Sequence, residues 1–238
     1  MKEFRRMWKQ RGMPALVLLS ALWMAAVLLP FPGEELLPGI RPALALPVPL
    51  GLFFGPAGAL GAGLGALGAG LFQGMGWESL VRFLEFFLLA FIPYRVWHYL
   101  GICPPGDPCL SPSKAGESLL SFALSALTGA LGAALALTFS SQALPWEEVV
   151  RNGGSALLMS LLPGGLLYFL AIRPLAAIGL LWQPAAEEPR PAPSLRFWRW
   201  AFILSPPLGL VLVLLFNLGI WGSAAALSIL LLSGLLSE

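Results

Sequence analysis

Charged and catalytic side chains are scarce in this sequence. Among its 238 residues, 11% are charged and 58% are hydrophobic, and a single histidine is present. Soluble domains carry about 25% charged residues, so this chain has too few polar groups to cover a water-exposed surface. Its net charge of +2 is also too small to indicate a nucleic-acid partner. The composition therefore predicts an integral membrane protein.

The residue types that bind metals are also too few to build a site. One histidine excludes centres made from histidine pairs and leaves little room for a histidine-based catalytic triad. Cys103 and Cys109 have only His98 nearby, whereas a zinc site usually needs four ligands. Their spacing permits a disulfide, but we place their loop in the cytoplasm, where disulfides are rare. We expect unpaired structural thiols, no metal and no cofactor.

No catalytic motif emerges from the remaining polar residues. Glu34 and Glu35 faintly suggest the paired glutamates of CAAX-type intramembrane proteases, but Gly39 stands where that motif has an arginine. The two further histidine-containing helices of those proteases are also absent, so we reject that assignment. The phosphate-binding pattern G-x-x-x-x-G-K-[ST] does not occur. We therefore expect that the protein is not an enzyme, and lipid chemistry is the least favoured hypothesis.

Small residues, by contrast, are abundant in the segment 54–76. They recur every four residues on two adjoining stripes of a predicted helix, which are Gly58, Ala62, Ala66 and Gly70, and Ala57, Gly61, Gly65 and Ala69. In water so many glycines would disfavour a helix. In lipid the backbone must pair its own polar groups, and small residues let another helix approach closely. The segment is therefore predicted to be a helix at the centre of a bundle, with leucines on another face.

Apolar segments broken at Pro/Gly clusters and charges are each interpreted as a membrane span, which needs roughly 20 residues. They lie near 14–30, 42–55, 57–75, 80–100, 117–140, 153–172, 200–217 and 219–236. The segment 42–55 is short and contains Pro47 and Pro49, so we predict that it is kinked or partly re-entrant. Residues 172–181 either extend the sixth span or lie at the membrane interface.

These spans define the predicted fold class, an all-α polytopic transmembrane helical bundle. Residues 1–182 form a six-helix body, 183–198 a Pro-rich cytoplasmic linker, and 199–238 a C-terminal transmembrane hairpin of two helices. Basic residues favour the cytoplasmic side, so the basic N-terminus is predicted to be cytoplasmic. With eight spans, only Arg41, Arg82 and Arg151 fall outward. If 42–75 is instead one span plus a re-entrant loop, everything downstream inverts.

The fourth span begins with three charged residues on one helix face, Glu78, Arg82 and Glu85. Charges at such depth usually face a bundle interior or a wet cavity. Two interpretations fit them equally. One is a substrate pocket that opens to the outside beneath the Glu34/Glu35 loop, and the other is a local ion pair that extends to the interface.

Other polar and aromatic residues lie near this cluster. Gln73 and Trp77 precede it, and Arg151 and Asn152 open the sixth span from the same side. Candidate substrate-binding residues are therefore Gln73, Trp77, Arg82, Glu85 and Asn152. Trp77 and Arg151 are also typical of interfacial anchors, as are the residues 94–98 at the opposite end of the fourth span.

Three segments resemble substrate-binding (S) components of energy-coupling factor vitamin transporters and related uncharacterised membrane proteins. They are Arg41-Pro42, the run PLGLFFGPAGALGA at 49–62, and FIPYRVW at 91–97. In such sequences an FGP-x-GA-x-GA helix follows a short Pro-containing helix, and a helix ending in P-Y-[KR]-x-W comes next. The resemblance covers roughly residues 15–175, the length of a six-helix S component. It departs at 65–70, which lacks the Asn and Asp of G-N-x-x-x-D, and in the two-helix tail.

The resemblance implies a function and partners. Ala21 and Ala25 match the family's A-x-x-x-A on the first helix, which docks the membrane coupling subunit. We expect a multi-pass protein of the bacterial inner membrane that captures a vitamin-like small molecule, with separate coupling and ATPase subunits. The alternative is a structural subunit or assembly factor of a larger membrane complex, whose Gly/Ala faces hold neighbouring helices or a flat cofactor such as a carotenoid, quinone or chlorophyll. His98 is then the one candidate axial ligand, although it also fits an anchor.

Overall fold

The computed structural model describes residues 12–30, 40–74, 76–100, 122–124, 126–130 and 146–181, with the backbone alone for 98–100, 146–149 and 152. This part of the chain is mostly helical and contains no β-strand. The elements are α1 (Met13–Leu28), a 3-10 helix (Pro42–Ala45), α2 (Pro47–Phe72), α3 (Glu78–Leu100), α4 (Trp146–Leu161) and α5 (Pro163–Ala177). Residues 122–124 and 126–130 are also helical. The helical class is confirmed, whereas the linker 183–198 and the hairpin 199–238 lie outside the described residues.

The small residues of α2 are buried between α1 and α3, as the sequence predicts. A Cβ atom added to Gly61 or Gly65 would lie 2.4 Å from an atom of α1, the Cβ of Ser20 or the carbonyl oxygen of Ala21. On the α3 side, the same atom on Gly63 would lie 2.9 Å from the ring of Phe83. Backbones at this distance leave no room for a side chain, so glycine is needed to bring the three helices together. The leucines of α2 take the other face, where Leu64 and Leu71 are exposed.

The chain folds back on itself within α2, at Gly55. Gly55 has φ +58° and ψ −139°, a conformation open to glycine and disfavoured for residues with a Cβ atom. Pro56 follows and has no N–H to donate to the carbonyl of Leu52, which removes a helix bond at this point. A Cβ atom on Gly58 would lie 1.9 Å from the carbonyl oxygen of Leu50. In a straight helix these two residues would be about 12 Å apart, so 47–54 and 56–72 form two arms of a sharp reversal.

Contacts with α3 show the direction of each arm. On the long arm, 56–72, Gly63 packs against Phe83 and Gly70 packs against Ser79, so this arm is antiparallel to α3. Before and within the short arm, 47–54, Arg41 contacts Glu85 and Gly51 packs against the carbonyl of Ala90, so this stretch is parallel to α3. The sequence separated 42–55 from 57–75 as two runs of opposite direction. The structure agrees with the reversal, but it begins the first run as a 3-10 helix rather than an α-helix.

The segment 41–54 is also parallel to α4 and α5, which bury its other side. Four contacts progress in the same order along both chains. They join Arg41 to Ser155, Leu44 to Ser160, Ala45 to Gly164, and Phe53 to Tyr168. Residues 43–45 and 47–51 are all buried. The short segment therefore lies in the middle of the described bundle.

Two helices are long and apolar enough to cross a membrane by length and composition, Pro47–Phe72 and Gly153–Ala177. The first is bent back at Gly55, so neither of its arms, 47–54 and 56–72, has that length by itself. The second joins α4 to α5 through Leu162, whose N–H still donates to Leu158. The predicted span 153–172 therefore continues to Ala177, where Gly179, with φ +69°, follows the helix end.

Replacing Gly55 with alanine should destabilise the protein by about 1–3 kcal/mol, because the reversal holds this residue at a positive φ. The free energy of unfolding in mixed detergent micelles, followed by circular dichroism, measures the effect. Gly68→Ala is the matched control, since this residue is helical and an added Cβ meets nothing within 4 Å. Alanine favours helix over glycine there. Equal stability of the two variants would contradict the assigned conformation of Gly55.

Candidate functional site

A buried ion pair joins the start of the segment 41–54, called the central segment below, to α3. Arg41 donates from Nη1 to Oε1 of Glu85 at 2.7 Å and from Nη2 to Oε2 at 3.3 Å. The side chain of Arg41 is 10% exposed and that of Glu85 is 1% exposed. Two parallel bonds between a guanidinium and a carboxylate give both charge compensation and a defined orientation. Both charged groups of this pair are therefore buried.

The backbone around Arg41 explains why polar groups gather here. Arg41 has φ −111° and ψ 91° and precedes the 3-10 helix, so its N–H has no helical acceptor. That N–H donates to Oγ of Ser155 at 3.1 Å. Ser160 in turn donates from Oγ to the carbonyl of Leu44 at 3.3 Å. Non-helical backbone that is buried must find partners in side chains, and two serines of α4 supply them.

A second polar contact ties together the ends of three helices. Arg82 donates from Nη1 to Oε1 of Gln73 at 3.1 Å, and Nε2 of Gln73 donates to the carbonyl of Leu28 at 3.1 Å. Gln73 follows α2, Leu28 ends α1, and Arg82 lies in the second turn of α3. Both side chains are half-buried. The contact satisfies a carbonyl at the end of α1 that has no intrahelical donor.

The structure brings some of the predicted site residues together and separates others. Glu85, Arg82 and Gln73 lie in the two polar contacts just described. Trp77 is 71% exposed in the α2–α3 turn, the exposure of an interfacial anchor. The side chain of Asn152 lies outside the described residues, although its helix continues to Ser155. A binding role for Trp77 and Asn152 stays a prediction.

Arg41 is the functional candidate that the site prediction omitted. The sequence placed it among the outward basic residues but did not connect it with Glu85, 44 residues away. The face shared by Glu78, Arg82 and Glu85 offered a local ion pair on α3 as one of two interpretations, and neither interpretation included Arg41. The sequence did contain a signal for it. Arg41-Pro42 opens an apolar segment, and a charge that is carried into such a segment needs a partner.

The predicted docking residues lie at the edge of the α1–α2 contact. Ala21 and Ala25 are half-buried, and the backbone of Ala21 packs against Gly61 and Gly65 of the same chain. Part of the A-x-x-x-A motif therefore serves helix packing within the protein. The neighbouring Leu18 and Leu22 are exposed on the side of α1 away from α2. Docking of a coupling subunit on this helix stays a prediction.

Aromatic rings fill the other end of the central segment. Tyr168 of α5 is buried, and the ring of Phe53 stacks on it with a centroid distance of 5.4 Å and an interplanar angle of 9°. Trp97 and Phe122 lie at 5.8 Å and 5.7 Å from the same ring. These rings pack on one another, which stabilises the meeting point of α2, α3 and α5.

The chemistry of the site is that of charge recognition. Within the described ranges, no group of three or more His, Cys, Asp or Glu is placed to hold a metal ion. Arg41 presents the donor pair that binds carboxylate or phosphate oxygens bidentately.

Comparison with known proteins finds no matching family model, no similar curated protein and no similar solved structure. The functional conclusions therefore depend on this geometry and on the sequence.

Glu85→Gln should lower the free energy of unfolding by about 3–5 kcal/mol, because it leaves the buried charge of Arg41 without its carboxylate. Glu78→Gln makes the same change at an exposed position and should alter stability by less than about 0.5 kcal/mol. In the double variant Arg41→Gln/Glu85→Gln most of the lost stability should return, since no uncompensated charge remains. Chemical denaturation of purified variants tests this, and an additive double variant would refute the assigned pair.

Ser155→Ala should cost about 1–3 kcal/mol, because it removes the acceptor of the buried N–H of Arg41. Ser20→Ala is the control, since Ser20 is also buried but donates to the carbonyl of Leu16 in its own helix at 2.7 Å. Thermal unfolding of the two variants should rank Ser155→Ala well below Ser20→Ala. The reverse order would show that Ser155 does not support the non-helical backbone.

Proposed function

We propose that this protein is a multi-pass subunit of the bacterial inner membrane that captures a small, vitamin-like molecule from outside the cell. Its N-terminus is cytoplasmic, and a six-helix body resembling S components holds the ligand site. The candidate site lies around Arg41, Glu85 and Arg82. Separate coupling and ATPase subunits drive release inward, and α1 is the docking helix. The buried pair of Arg41 and Glu85 is the observation that carries this proposal.

Burial of the pair supports the proposal because charges inside an apolar bundle are expensive. A bundle that needed only stability would be served as well by apolar residues of the same volume. Polar and ionisable residues at such depth commonly mark ligand or ion pathways. In the predicted orientation, Glu85 lies two turns below the outward end of α3, which is where a molecule from outside would arrive.

The course of the backbone gives a second line of support. The resemblance implies a short Pro-containing helix, then a helix opened by FGP, then a helix that ends in P-Y-[KR]-x-W. Here the short arm 47–54, the reversal at Gly55-Pro56 and the long arm 56–72 occur in that order, and α3 contains Pro93, Tyr94 and Arg95. Close contacts through glycine also let the bundle move as one body, which suits transport by rocking against a partner.

A structural role is the second candidate, and one observation favours it. Arg41, Glu85, Arg82, Gln73 and Ser155 all have partners within the chain. Such a network stabilises a fold without any ligand, as in a subunit or assembly factor of a larger membrane complex. A bound pigment or quinone, or a stoichiometric complex lacking an ATPase, would favour this candidate over transport.

Two measurements on the native protein separate the candidates. The full chain is purified in mild detergent from its own membranes, and the chains that accompany it are identified by mass spectrometry. We expect an ATPase and a membrane coupling subunit among them. Thermal shift with a panel of vitamins and modified bases should then show concentration-dependent stabilisation by at least one compound. If neither an ATPase nor a stabilising compound is found, the transport proposal has no support.

The proposed orientation has a test of its own. Single cysteines replace Gly76 in the α2–α3 turn and Ile178 after α5, in a chain whose two natural cysteines are changed to serine. Both positions are exposed and neither has a positive φ. A membrane-impermeant maleimide applied to intact spheroplasts should label position 76 and spare position 178. The reverse pattern would show that the chain is inverted, as expected if 42–75 crosses the membrane once.

A further inference from the structure

Tyr168 of α5 lies among aromatic rings, and its hydroxyl has no hydrogen bond assigned to it within the described ranges. The residue is 4% exposed. A phenol O–H that is removed from water usually finds an acceptor, because an unsatisfied donor costs free energy. An acceptor that the described helices do not supply is therefore expected at this position.

A second donor belongs to the same cluster. Trp97 of α3 is half-buried, and its ring centroid is 5.8 Å from that of Tyr168. Its indole N–H can donate but not accept, and it has no acceptor assigned in the part of the chain that the structure describes. Two donors without acceptors in one aromatic cluster match a group that has lone pairs and no hydrogen to donate.

We infer that Tyr168 and Trp97 form a second ligand site, which holds the carbonyl oxygen of a neutral, lipid-soluble molecule. A carbonyl oxygen has two lone pairs, so it accepts from the phenol O–H and the indole N–H together. About 20 Å of helix separates Tyr168 from Ser155, which lies in the charged cluster. The site is therefore distinct from the one proposed for transport.

The surroundings of Tyr168 select a neutral group rather than an ion. All contacts assigned to this ring are aromatic: it stacks on Phe53 at 5.4 Å and lies 5.7 Å from Phe122 and 5.4 Å from Phe169. An ionised ligand would lose its hydration here without gaining an opposite charge. A neutral carbonyl loses little on leaving water and gains two hydrogen bonds, while the rest of the molecule can be apolar.

Access to the cluster is from the side of the bundle. Trp97 and Phe169 are half-buried, and Leu170, two residues after Tyr168, is 66% exposed. In the proposed membrane protein this apolar flank of α5 meets lipid, so the ligand arrives through the bilayer. A quinone, one of the cofactors named above for a structural subunit, carries a carbonyl into the lipid phase, and so does the ester group of a phospholipid.

Matched pairs of compounds test the carbonyl on the purified full-length protein. Menadione is titrated beside 2-methylnaphthalene, which has the same fused rings without the carbonyl oxygens, and binding is measured by thermal shift in detergent micelles. An ester-linked phosphatidylcholine is compared with its ether-linked analogue by native mass spectrometry. In one of the two pairs, we expect the carbonyl compound to bind about tenfold or more tightly than its partner.

Tyr168→Phe removes the donor oxygen and keeps the ring. It should lower the affinity for the carbonyl compound about tenfold and leave the affinity for the carbonyl-free compound unchanged. Trp97→Phe, which keeps a ring but removes the indole N–H, should have an effect of the same sign. Tyr94→Phe is the control, because it makes the same change on a half-buried tyrosine whose assigned ring contact is with Phe91 rather than Tyr168. It should retain the full preference.

Stability without ligand provides a further readout. The unliganded Tyr168→Phe variant should unfold at the same temperature as the wild type or higher, because an unsatisfied donor has been removed. A clear loss of stability would show that the hydroxyl already has a partner, and it would overturn the site.

The remaining outcomes identify the ligand or refute the inference. Preference within the menadione pair assigns a quinone, and preference within the lipid pair assigns a phospholipid ester. Equal binding within both pairs, or an unchanged preference in Tyr168→Phe, would overturn the site. None of these results bears on the transport proposal, whose ligand and ATPase partner are tested separately.

Discussion

Burial of the segment 40–46, which contains a short 3-10 helix and no α-helix, is the constraint on which the rest of the structure depends. Backbone that lacks the regular hydrogen bonds of an α-helix and is surrounded by protein needs side chains to satisfy its remaining polar groups. Ser155 and Ser160 of α4 bond the backbone of Arg41 and Leu44, and Glu85 of α3 pairs with the side chain of Arg41. The positions of α3 and α4 relative to α2 are therefore set by hydrogen bonds as well as by packing.

Glycine makes this arrangement geometrically possible in two distinct ways. At Gly55 it supplies a backbone conformation, which lets the chain reverse within a few residues. At Gly61, Gly63 and Gly65 it supplies space, which lets α1 and α3 approach the backbone of α2. The first role places the central segment inside the bundle, and the second closes the bundle around it.

The buried ion pair is compatible with both proposed roles, and its energetics distinguish them. A fixed pair contributes orientation and little net stability, because desolvation offsets most of the Coulomb attraction. The alternative role uses the same buried charges to recognise a ligand, which gives a reason to keep them in an apolar bundle.

Much of the described fold could be predicted because it follows from local composition. The apolar content and the four-residue spacing of small residues specify helices, and they indicate that the small residues within 57–70 face the interior. Pro47, Pro49 and Pro56 mark the segment that departs from a regular span. Each of these features depends on backbone chemistry within a few neighbouring residues, so the sequence by itself determined them.

Only the tertiary structure decided which charges meet. Glu78, Arg82 and Glu85 share a helix face, so a local ion pair was one alternative offered by the sequence, and folding also brings Arg41 to Glu85 and Gln73 to Arg82. The pairing arises from the reversal at Gly55 and the parallel course of 41–54 beside α3 and α4. Such contacts join residues distant in the chain, and their free energy depends on burial, which no local pattern specifies.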